Sequence, residues 1–278
     1  MSFKRIFIVG CPRSGTTLLQ SMIAAHPRLI SYPETHFWDY TIPDKFRYRF
    51  LKIYSAPEKA LVRAYLDEHE FPLDAMSDMK SRYLTTRSWS RALMRILDRL
   101  TDPELSGWIE KTPRHLYAIP YITGADKDAL FLHILRSGKD VVASMYEVTH
   151  KYPEYWNGPR TIDMCLERWK RDVELSKKYL THPRHFFISY EELLEYKEKI
   201  LEKVCEFLGV SFSLEMIDSF MSEAQKLVGE KEKWKAANIS GRSPGSKFSS
   251  IFSSNEQEYI LSEIGNISLE SFRINTGR

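Results

Sequence analysis

Cysteine is scarce in this 278-residue chain: only Cys11, Cys165 and Cys205 occur, far apart and without a C-x-x-C pair. Such a set fits neither a disulfide framework nor a zinc site, so we expect reduced thiols in a cytoplasmic protein. Cys11 could serve as a nucleophile, but the sequence places no base beside it, which favours a packing role.

Long apolar runs and a strong net charge are also absent. No apolar stretch reaches the length that spans a bilayer, and the first strand pattern starts too early to leave room for a signal peptide. The formal net charge of +3 suits an anionic ligand but is too small to indicate nucleic acid as a partner. We therefore expect neither a membrane span nor bound nucleic acid, and the oligomeric state stays open.

Patterns that bind metal are missing as well. The carboxylates are scattered, no H-E-x-x-H motif occurs, and the apolar run at residues 130–135 contains no aspartate that could hold magnesium. We therefore expect chemistry that needs no metal ion.

The chain does contain alternating strand and helix patterns, which predict parallel strands joined by crossover helices. We expect an α/β fold with a central, mostly parallel five-stranded sheet flanked by helices, in a single domain over residues 1–278. The predicted strands are residues 6–9, 29–32, 107–110, 130–135 and 185–189. The predicted helices are 16–25, 57–69, 88–100, one capped by Thr112, 137–145, 161–180 and 191–208. Two of them lie in a helical insertion at about 40–105.

The first predicted strand leads through a glycine-bracketed loop into a helix. Backbone N–H groups and the positive end of the helix then point to one place, as in sites for phosphate-like anions. Gly10 and Gly15 have the spacing of G-x-x-x-x-G-K-[ST], and Thr17 could supply the hydroxyl, but Thr16 stands where a lysine is required. The cation comes earlier, at Arg13. The loop therefore predicts an anion site of another kind, with a strand-to-helix turn that binds nothing as the alternative.

Polar residues follow each of the five predicted strands. In an open α/β sheet, ligands bind beyond the carboxyl ends of the strands, and parallel strands bring those ends to one edge. We therefore expect one site that combines Arg13, Glu34, Lys111, Arg136 and Tyr190.

These motifs resemble, in the same order, those of sulfotransferases that use 3′-phosphoadenosine 5′-phosphosulfate (PAPS). Residues 12–17, Pro-Arg-Ser-Gly-Thr-Thr, are similar to the 5′-phosphosulfate loop, and with Glu34 downstream they resemble tyrosylprotein sulfotransferases. Residues 34–39 and 110–113 resemble the Glu-x-His-Phe-Phe-Asp and Glu-Lys-(Ser/Thr)-Pro motifs of heparan sulfate sulfotransferases. Arg136, with Ser144 eight residues on, is similar to the 3′-phosphate motif, and Tyr190-Glu-Glu-Leu is similar to the family's tyrosine-acid segment.

The resemblance implies a P-loop-like three-layer fold, PAPS as co-substrate and 3′-phosphoadenosine 5′-phosphate (PAP) as product. It implies nucleotide binding by Arg13, Ser14, Gly15, Thr16, Thr17, Arg136, Ser144, Tyr190 and Lys247. Lys247 is assigned because residues 246–248 are similar to the Ser-Lys-Trp of the tyrosylprotein branch, with Arg242 as a competing cation. The implied catalytic groups are Glu34 as general base and Arg13 and Lys111 as stabilisers of the leaving group.

His36 is the rival base, although in an extended chain it would point away from the side of Glu34. Two other functions remain open. A nucleotide-dependent kinase would need the missing lysine and an acid to hold magnesium, and a non-catalytic nucleotide-binding module would not need Glu34 and Lys111. The acceptor is expected to be a small molecule, a glycan or a tyrosine-bearing chain, in a pocket shaped by residues 40–105 and 152–156 with aromatic residues such as Phe37, Trp38, Tyr155 and Trp156.

Overall fold

The structure, a computed structural model, describes residues 3–39, 56–227 and 246–272. Its strands are β1 (Lys4–Gly10), β2 (Leu29–Ser31), β3 (Gly107–Lys111), β4 (Leu130–Leu135) and β5 (His185–Ser189). They form one sheet in the order β2-β3-β1-β4-β5, and every neighbouring pair is parallel. The predicted fold class and the parallel five-stranded sheet are confirmed.

Helices cover both faces of this sheet and connect its strands. The helices are α1 (Thr16–Ala24), α2 (Ala56–Glu68), α3 (Thr86–Leu100), α4 (Ile119–Ala125), α5 (Gly138–Lys151), α6 (Ile162–Lys177), α7 (Tyr190–Glu195), α8 (Lys197–Leu208), α9 (Glu215–Asp218), α10 (Phe220–Leu227), α11 (Ser246–Ile251) and α12 (Ser254–Ile264). Short 3-10 helices lie at Leu73–Met76, Pro113–Tyr117, Pro153–Tyr155 and Glu270–Phe272. Of the predicted insertion, α2 and α3 lie in the described part, and residues 40–55 lie outside it.

The central strand β1 shows why the sheet is covered on both sides. Successive side chains of a strand point to opposite faces. Phe7 and Val9 pack in one apolar cluster with residues of α2, α3 and α4, whereas Ile6 and Ile8 pack in another with residues of α1 and α8. All four side chains are fully buried, as is typical of parallel strands. The fold therefore has three layers, with helices on either side of the sheet.

Two local predictions are wrong. The predicted helix 191–208 is interrupted at Tyr196, whose φ of −125° and ψ of 49° separate α7 from α8. Thr112 does not cap a helix, because its hydroxyl donates a hydrogen bond to Oε1 of Glu110 at 2.6 Å, and Pro113 begins a 3-10 helix. At Tyr196 the backbone interrupts a continuous helical periodicity, whereas at Thr112 only the capping role fails, because the hydroxyl is bonded to Glu110.

The strand register brings the polar strand ends to one edge. Ile8 of β1 lies opposite Lys111 of β3, and Gly10 of β1 lies opposite Ile134 of β4. The segments that leave these strands therefore start side by side, as the parallel arrangement predicted. Within the described ranges, no helix combines the length and the apolar composition needed to cross a bilayer.

Candidate active site

The loop between β1 and α1 has a backbone that depends on glycine. Gly15, which precedes α1, is left-handed with a φ of 95°, and a Cβ there would lie 2.3 Å from Cδ2 of Tyr190. Gly10 has a φ of 151°, and a Cβ there would lie 2.6 Å from the main-chain oxygen of Ile134. Any other residue would be strained and would collide, so the two glycines press the loop against β4 and α7.

The start of α1 is suited to bind an anion. The first N–H groups of a helix have no partner within the helix and form its positive end. Ser14 Oγ is buried and has no hydrogen-bond partner within the described residues. Gly15, Thr16 and Thr17 follow it directly, and both threonines line a cavity outside the loop. The structure therefore gathers the predicted residues 14–17 around one helix start that can still accept a ligand.

Arg13, Arg136, Ser144 and Tyr190 form a second group beside this loop. Arg13 Nε donates a hydrogen bond to Ser144 Oγ at 3.1 Å, and Arg136 Nη1 donates to the main-chain oxygen of Arg13 at 3.3 Å. The Arg136 guanidinium lies 4.3 Å from the centre of the Tyr190 ring. Burial, and then the charge of Arg136, lower the pKa of Arg13 to about 10. Two guanidinium groups held this close favour an anionic partner.

Lys111 and Glu34 form an ion pair on the other side of the helix start. Lys111 Nζ contacts Glu34 Oε1 and lies 3.4 Å from Thr17 Oγ1. The lysine side chain is only 2% exposed and that of the glutamate 16%. The pairing compensates the burial of the lysine charge, and it places the carboxylate beside the first turn of α1. The predicted base and the predicted cation are thus in contact.

His36 lies next to the Glu34 carboxylate, contrary to the prediction that it points away. Its φ of 53° lies in the left-handed region, its Nε2 lies 3.6 Å from Glu34 Oε2, and its Nδ1 lies 3.0 Å from Asp39 Oδ2. Desolvation lowers the pKa of His36, but the hydrogen bond to Asp39 and the charge of Glu34 outweigh it, and the pKa lies above its ordinary value. The prediction fails on two counts: the backbone at His36 is not extended, and in an extended chain residues two apart would share one side in any case.

A sequence model of the sulfotransferase family matches residues 5–213, the span that holds this site almost entirely. The chain belongs to the sulfotransferase family. This confirms the resemblance to PAPS-dependent sulfotransferases that the sequence motifs indicated. Protein-tyrosine sulfotransferase 2 of Gallus gallus is 24% identical to this chain over an alignment of 221 residues that covers 75% of this chain and 52% of the relative. The chain therefore spans about half the length of that curated relative.

Solved structures show that the fold is shared. The sulfotransferase domain of the Synechococcus PCC 7002 olefin synthase has a TM-score of 0.53 at 19% identity, with 99% of this chain and 93% of that one covered. Mouse sulfotransferase SULT7A1, solved in complex with PAP, has a TM-score of 0.58 at 15% identity, with 96% and 87% covered. The chain thus shares the α/β architecture of these solved structures.

A buried carboxylate next to Lys111 organises the segment after Glu34. Glu110 is fully buried, and its Oε1 accepts hydrogen bonds from the main-chain N–H and the hydroxyl of Thr35, at 3.3 and 2.9 Å. Its Oε2 accepts one from His115 Nδ1 at 2.7 Å. Burial raises the pKa of Glu110, but His115 and the hydroxyl donors lower it by more. The pKa of Glu110 therefore lies below its ordinary value. A charged residue inside an apolar strand was the sequence signal for this role.

Lys247 lies over α5 rather than over the start of α1. Its Nζ contacts Glu147 Oε2, one turn along α5 from Ser144. The charge of Glu147 partly offsets the lowering of the Arg13 pKa, so Lys247, Glu147 and Arg13 influence one another electrostatically. The nucleotide role predicted for Lys247 stays a prediction, and its competitor Arg242 lies outside the described residues.

The predicted catalytic residues other than Lys111 line a cavity of about 320 Å³. Glu34, His36, Arg13 and Thr17 line it together with residues that the sequence did not single out as cations, Arg114, Arg160 and Arg168. Tyr155 and Trp156 line it as predicted, whereas Phe37 and Trp38 are buried in the core and do not. No three His, Cys, Asp or Glu side chains in the described part of the chain lie together as metal ligands would.

Proposed function

We propose that this sulfotransferase transfers a sulfuryl group from PAPS to an acceptor hydroxyl, with Glu34 as general base. One relationship carries the proposal: the Glu34 carboxylate and the Lys111 ammonium meet beside Thr17 on the first turn of α1. A base and a cation thus stand where a helix start is suited to bind an anionic sulfuryl donor.

Two groups of residues have the chemistry to hold the nucleotide. Residues 14–17 and the start of α1 suit the 5′-phosphosulfate, and Arg13, Arg136, Ser144 and Tyr190 suit the 3′-phosphate side. Ser14 Oγ and Arg136 Nε are buried and have no hydrogen-bond partner within the described residues, which supports this fit because phosphate oxygens would satisfy both. We extend to this chain the ligand named for the mouse sulfotransferase, which was solved with PAP. Lys247 is proposed to help close this side.

The chemistry assigned to the chain is a proton transfer and the stabilisation of charge. Glu34 accepts the proton of the acceptor hydroxyl while the acceptor oxygen bonds to sulfur. Lys111 and Arg13 stabilise the negative charge that stays on the 5′-phosphate when the old sulfur–oxygen bond breaks. Assistance by a general base typically contributes on the order of 10²–10⁴-fold in rate.

The ion pair also explains how Lys111 can be paired both before and after the sulfuryl donor binds. Before the donor binds, the ammonium has Glu34 as its anionic partner. A phosphosulfate beside Thr17 gives the ammonium a second anionic partner, which leaves carboxylate oxygens of Glu34 to the acceptor. His36 is proposed to support Glu34 from 3.6 Å rather than to replace it, because its raised pKa keeps more of it protonated near neutral pH.

The wider assignments are part of the same proposal. We propose a single domain, chemistry without a metal ion, and a cytoplasmic location, which is supported by three free and buried cysteines. The acceptor is proposed to be a small molecule, a glycan or a tyrosine-bearing chain, because Tyr155 and Trp156 offer flat apolar surfaces beside Glu34.

The Glu34→Gln variant tests the base. We expect a loss of kcat on the order of 10²–10⁴-fold, while the Kd for PAP stays that of the wild type, because the amide keeps the shape but cannot take a proton. Transfer is measured with labelled PAPS and a mixed pool of acceptors, and the products are identified by mass. Exposed Glu167→Gln on α6 is the matched control and should behave as the wild type. Equal kcat in Glu34→Gln and the wild type would remove Glu34 from the mechanism.

The same assay separates the two other functions that the sequence left open. Turnover that persists in EDTA supports sulfuryl transfer, and turnover of ATP that stops in EDTA supports a magnesium-dependent kinase. Tight binding of PAP without transfer to any acceptor in the pool would instead indicate a nucleotide-binding module.

A further inference from the structure

The cavity beside Glu34 contains a group of donors that the proposed reaction does not use. Trp156 follows the 3-10 helix after α5, Arg160 precedes α6, and Arg168 lies on α6. All three line the same cavity of about 320 Å³ as Glu34 and Arg13. We call these three residues the arginine–tryptophan cluster.

Arg168 is held in place by one buried acid. Its Nε donates a hydrogen bond to Asp172 Oδ2 at 2.7 Å, and the Tyr117 hydroxyl donates to the other oxygen of the same carboxylate. The guanidinium also lies 5.4 Å from the centre of the Tyr117 ring. Its Nη2, however, is buried and has no hydrogen-bond partner within the described residues. The side chain is therefore fixed, with one donor left over.

Arg160 has a weaker set of partners. Its guanidinium lies 5.4 Å from the centre of the Trp156 ring, and its Nη1 contacts Met145 Sδ at 3.2 Å. It forms an ion pair with no carboxylate of the described residues. Burial, and then the charge of Arg168, lower the pKa of Arg160. Two guanidinium groups thus repel each other here, and Asp172 is hydrogen-bonded to only one of them.

Trp156 adds a third donor to this corner of the cavity. Its Nε1 is buried, and no acceptor among the described residues receives its hydrogen bond. A buried donor without a partner destabilises the fold. Such donors in a native structure need an explanation. Beside two guanidinium groups, a bound anion is the explanation that chemistry favours.

We propose that the arginine–tryptophan cluster binds an oxyanion carried by the acceptor, such as a carboxylate, sulfate or phosphate, while the acceptor hydroxyl faces Glu34. The inference rests on the proposed function, since it assigns the acceptor of that same reaction. Planar guanidinium groups present paired N–H donors that match oxyanions, and an indole N–H can complete the set. The volume of the cavity is that of a site for a small molecule.

The nucleotide gives a poorer explanation of the cluster. In the proposed function its 5′ and 3′ groups already have the start of α1 and the Arg13–Arg136 pair. The cluster comes from a different part of the chain, at residues 156–168, and none of its side chains is hydrogen-bonded to Arg13, Arg136 or Ser144 in the described structure. We therefore assign these donors to the acceptor side of the cavity.

Matched pairs of hydroxyl compounds test this assignment in the complex with PAP. The pairs are mandelate and mandelamide, D-glucuronate and D-glucuronamide, and N-acetyltyrosine and N-acetyltyrosinamide. Within a pair only the charge of one group changes, and the three pairs offer an alcohol, a sugar and a phenol. Binding is measured by calorimetry, so that no turnover is required. We expect the carboxylate of at least one pair to bind about tenfold or more tightly than its amide.

Two variants of the cluster identify the donors. Arg160→Gln removes a charge and should abolish the preference for the carboxylate, and Trp156→Phe removes only the N–H and should reduce it. Exposed Arg171→Gln on the same helix as Arg168 is the control, because Arg171 does not line the cavity and should leave the preference intact. Thermal unfolding of each variant shows that it is folded.

The outcomes separate this inference from the proposed function. Failure to bind PAP at all would contradict the proposed function. Normal binding of PAP with equal affinity for carboxylates and amides, or with no binding of any carboxylate, would overturn this inference alone. A loss of PAP affinity in Arg160→Gln, without change in the preference for the carboxylate, would assign the guanidinium to the nucleotide and would also overturn it.

Discussion

Oε1 of Glu110 accepts a hydrogen bond from Thr35 Oγ1 at 2.9 Å, which ties the residue after the proposed base to the neighbouring strand. Glu110 is the last residue but one of β3, next to Lys111. A single buried carboxylate therefore sets the position of Glu34 relative to Lys111. Because the proposed reaction requires both groups at one point, we treat Glu110 as a positioning residue.

Glu110→Gln should lower both stability and kcat while the Kd for PAP stays unchanged. His115 Nε2 accepts a hydrogen bond from the Trp38 main-chain N–H, so its Nδ1 carries the proton that is donated to Glu110. The NH2 group of the glutamine amide must face either His115 or the threonine donors. The hydrogen bonds on that side of the side chain are then lost. We expect a loss of about 1–3 kcal/mol in the free energy of unfolding.

Urea unfolding and steady-state kinetics measure these effects. The folded-state pKa of Glu110 lies below its ordinary value of 4.5, so its charge stabilises the fold fully above that value and progressively less as the pH falls. The difference in the free energy of unfolding between the wild type and Glu110→Gln should therefore shrink as the pH falls. Exposed Glu104→Gln serves as the control. A variant that loses stability but keeps the wild-type kcat would show that Glu110 supports only the fold.

Much of this site could be predicted because parallel strands leave few options. The apolar runs at β1, β4 and β5 are long enough to identify strands, and a parallel sheet must bring their carboxyl ends to one edge. Arg13 and Lys111 were therefore placed at the site by their positions alone. The contact between Lys111 and Glu34 depends in addition on the order of β2 and β3 in the sheet, which the sequence does not specify.

The parts that could not be predicted depend on single dihedral angles or on distant segments. His36 adopts a positive φ, which no local pattern indicated. Tyr196 interrupts a helix whose periodicity is continuous. The arginine–tryptophan cluster, from the segment before α6 and from α6 itself, lines the same cavity as Arg13 and Glu34, and such a meeting is set by tertiary packing. The sequence thus predicted the candidate residues at the strand ends but not those that lie away from them.

Gly15→Ala should abolish PAP binding and destabilise the fold. A Cβ at Gly15 would lie 2.3 Å from Cδ2 of Tyr190, and the φ of 95° is one that alanine rarely adopts. Gly158→Ala provides the matched control, because its φ of 97° imposes the same strain while no atom lies within 4 Å. The strain alone costs about 1–3 kcal/mol. Calorimetric titration with PAP should therefore detect binding in Gly158→Ala only, and equal affinities would argue against a close fit of the loop on Tyr190.

His36→Asn should lower kcat by less than about tenfold, well short of the loss expected for a general base. The raised pKa of His36 means that its positive charge persists above the ordinary value of 6.5 and disappears as the pH rises further. The pH profile of kcat should show an inflection in that range for the wild type and none for the variant. A loss as large as that of Glu34→Gln would instead make His36 the base.

Two buried histidines should make the fold sensitive to acid. His133 Nε2 and His185 Nδ1 lie 2.9 Å apart between β4 and β5, and the His185 ring stacks on Phe131 and Tyr179 with centroids 4.6 and 4.5 Å away. Burial, and then the neighbouring His182, lower the pKa of His185 to about 3. Burial and the charge of His185 lower the pKa of His133 well below 6.5.

Both histidines are therefore neutral in the folded chain, while the unfolded chain binds protons below about pH 6.5. The free energy of unfolding should fall as the pH drops from 6.5 towards 3, by up to about 1.4 kcal/mol per pH unit for each histidine. His185→Phe keeps the stacking and should make this slope shallower by about one proton, whereas exposed His150→Phe should leave it unchanged. Urea unfolding between pH 6.5 and 4 measures the slope. An unchanged slope in His185→Phe would mean that carboxylates alone govern the loss of stability in acid.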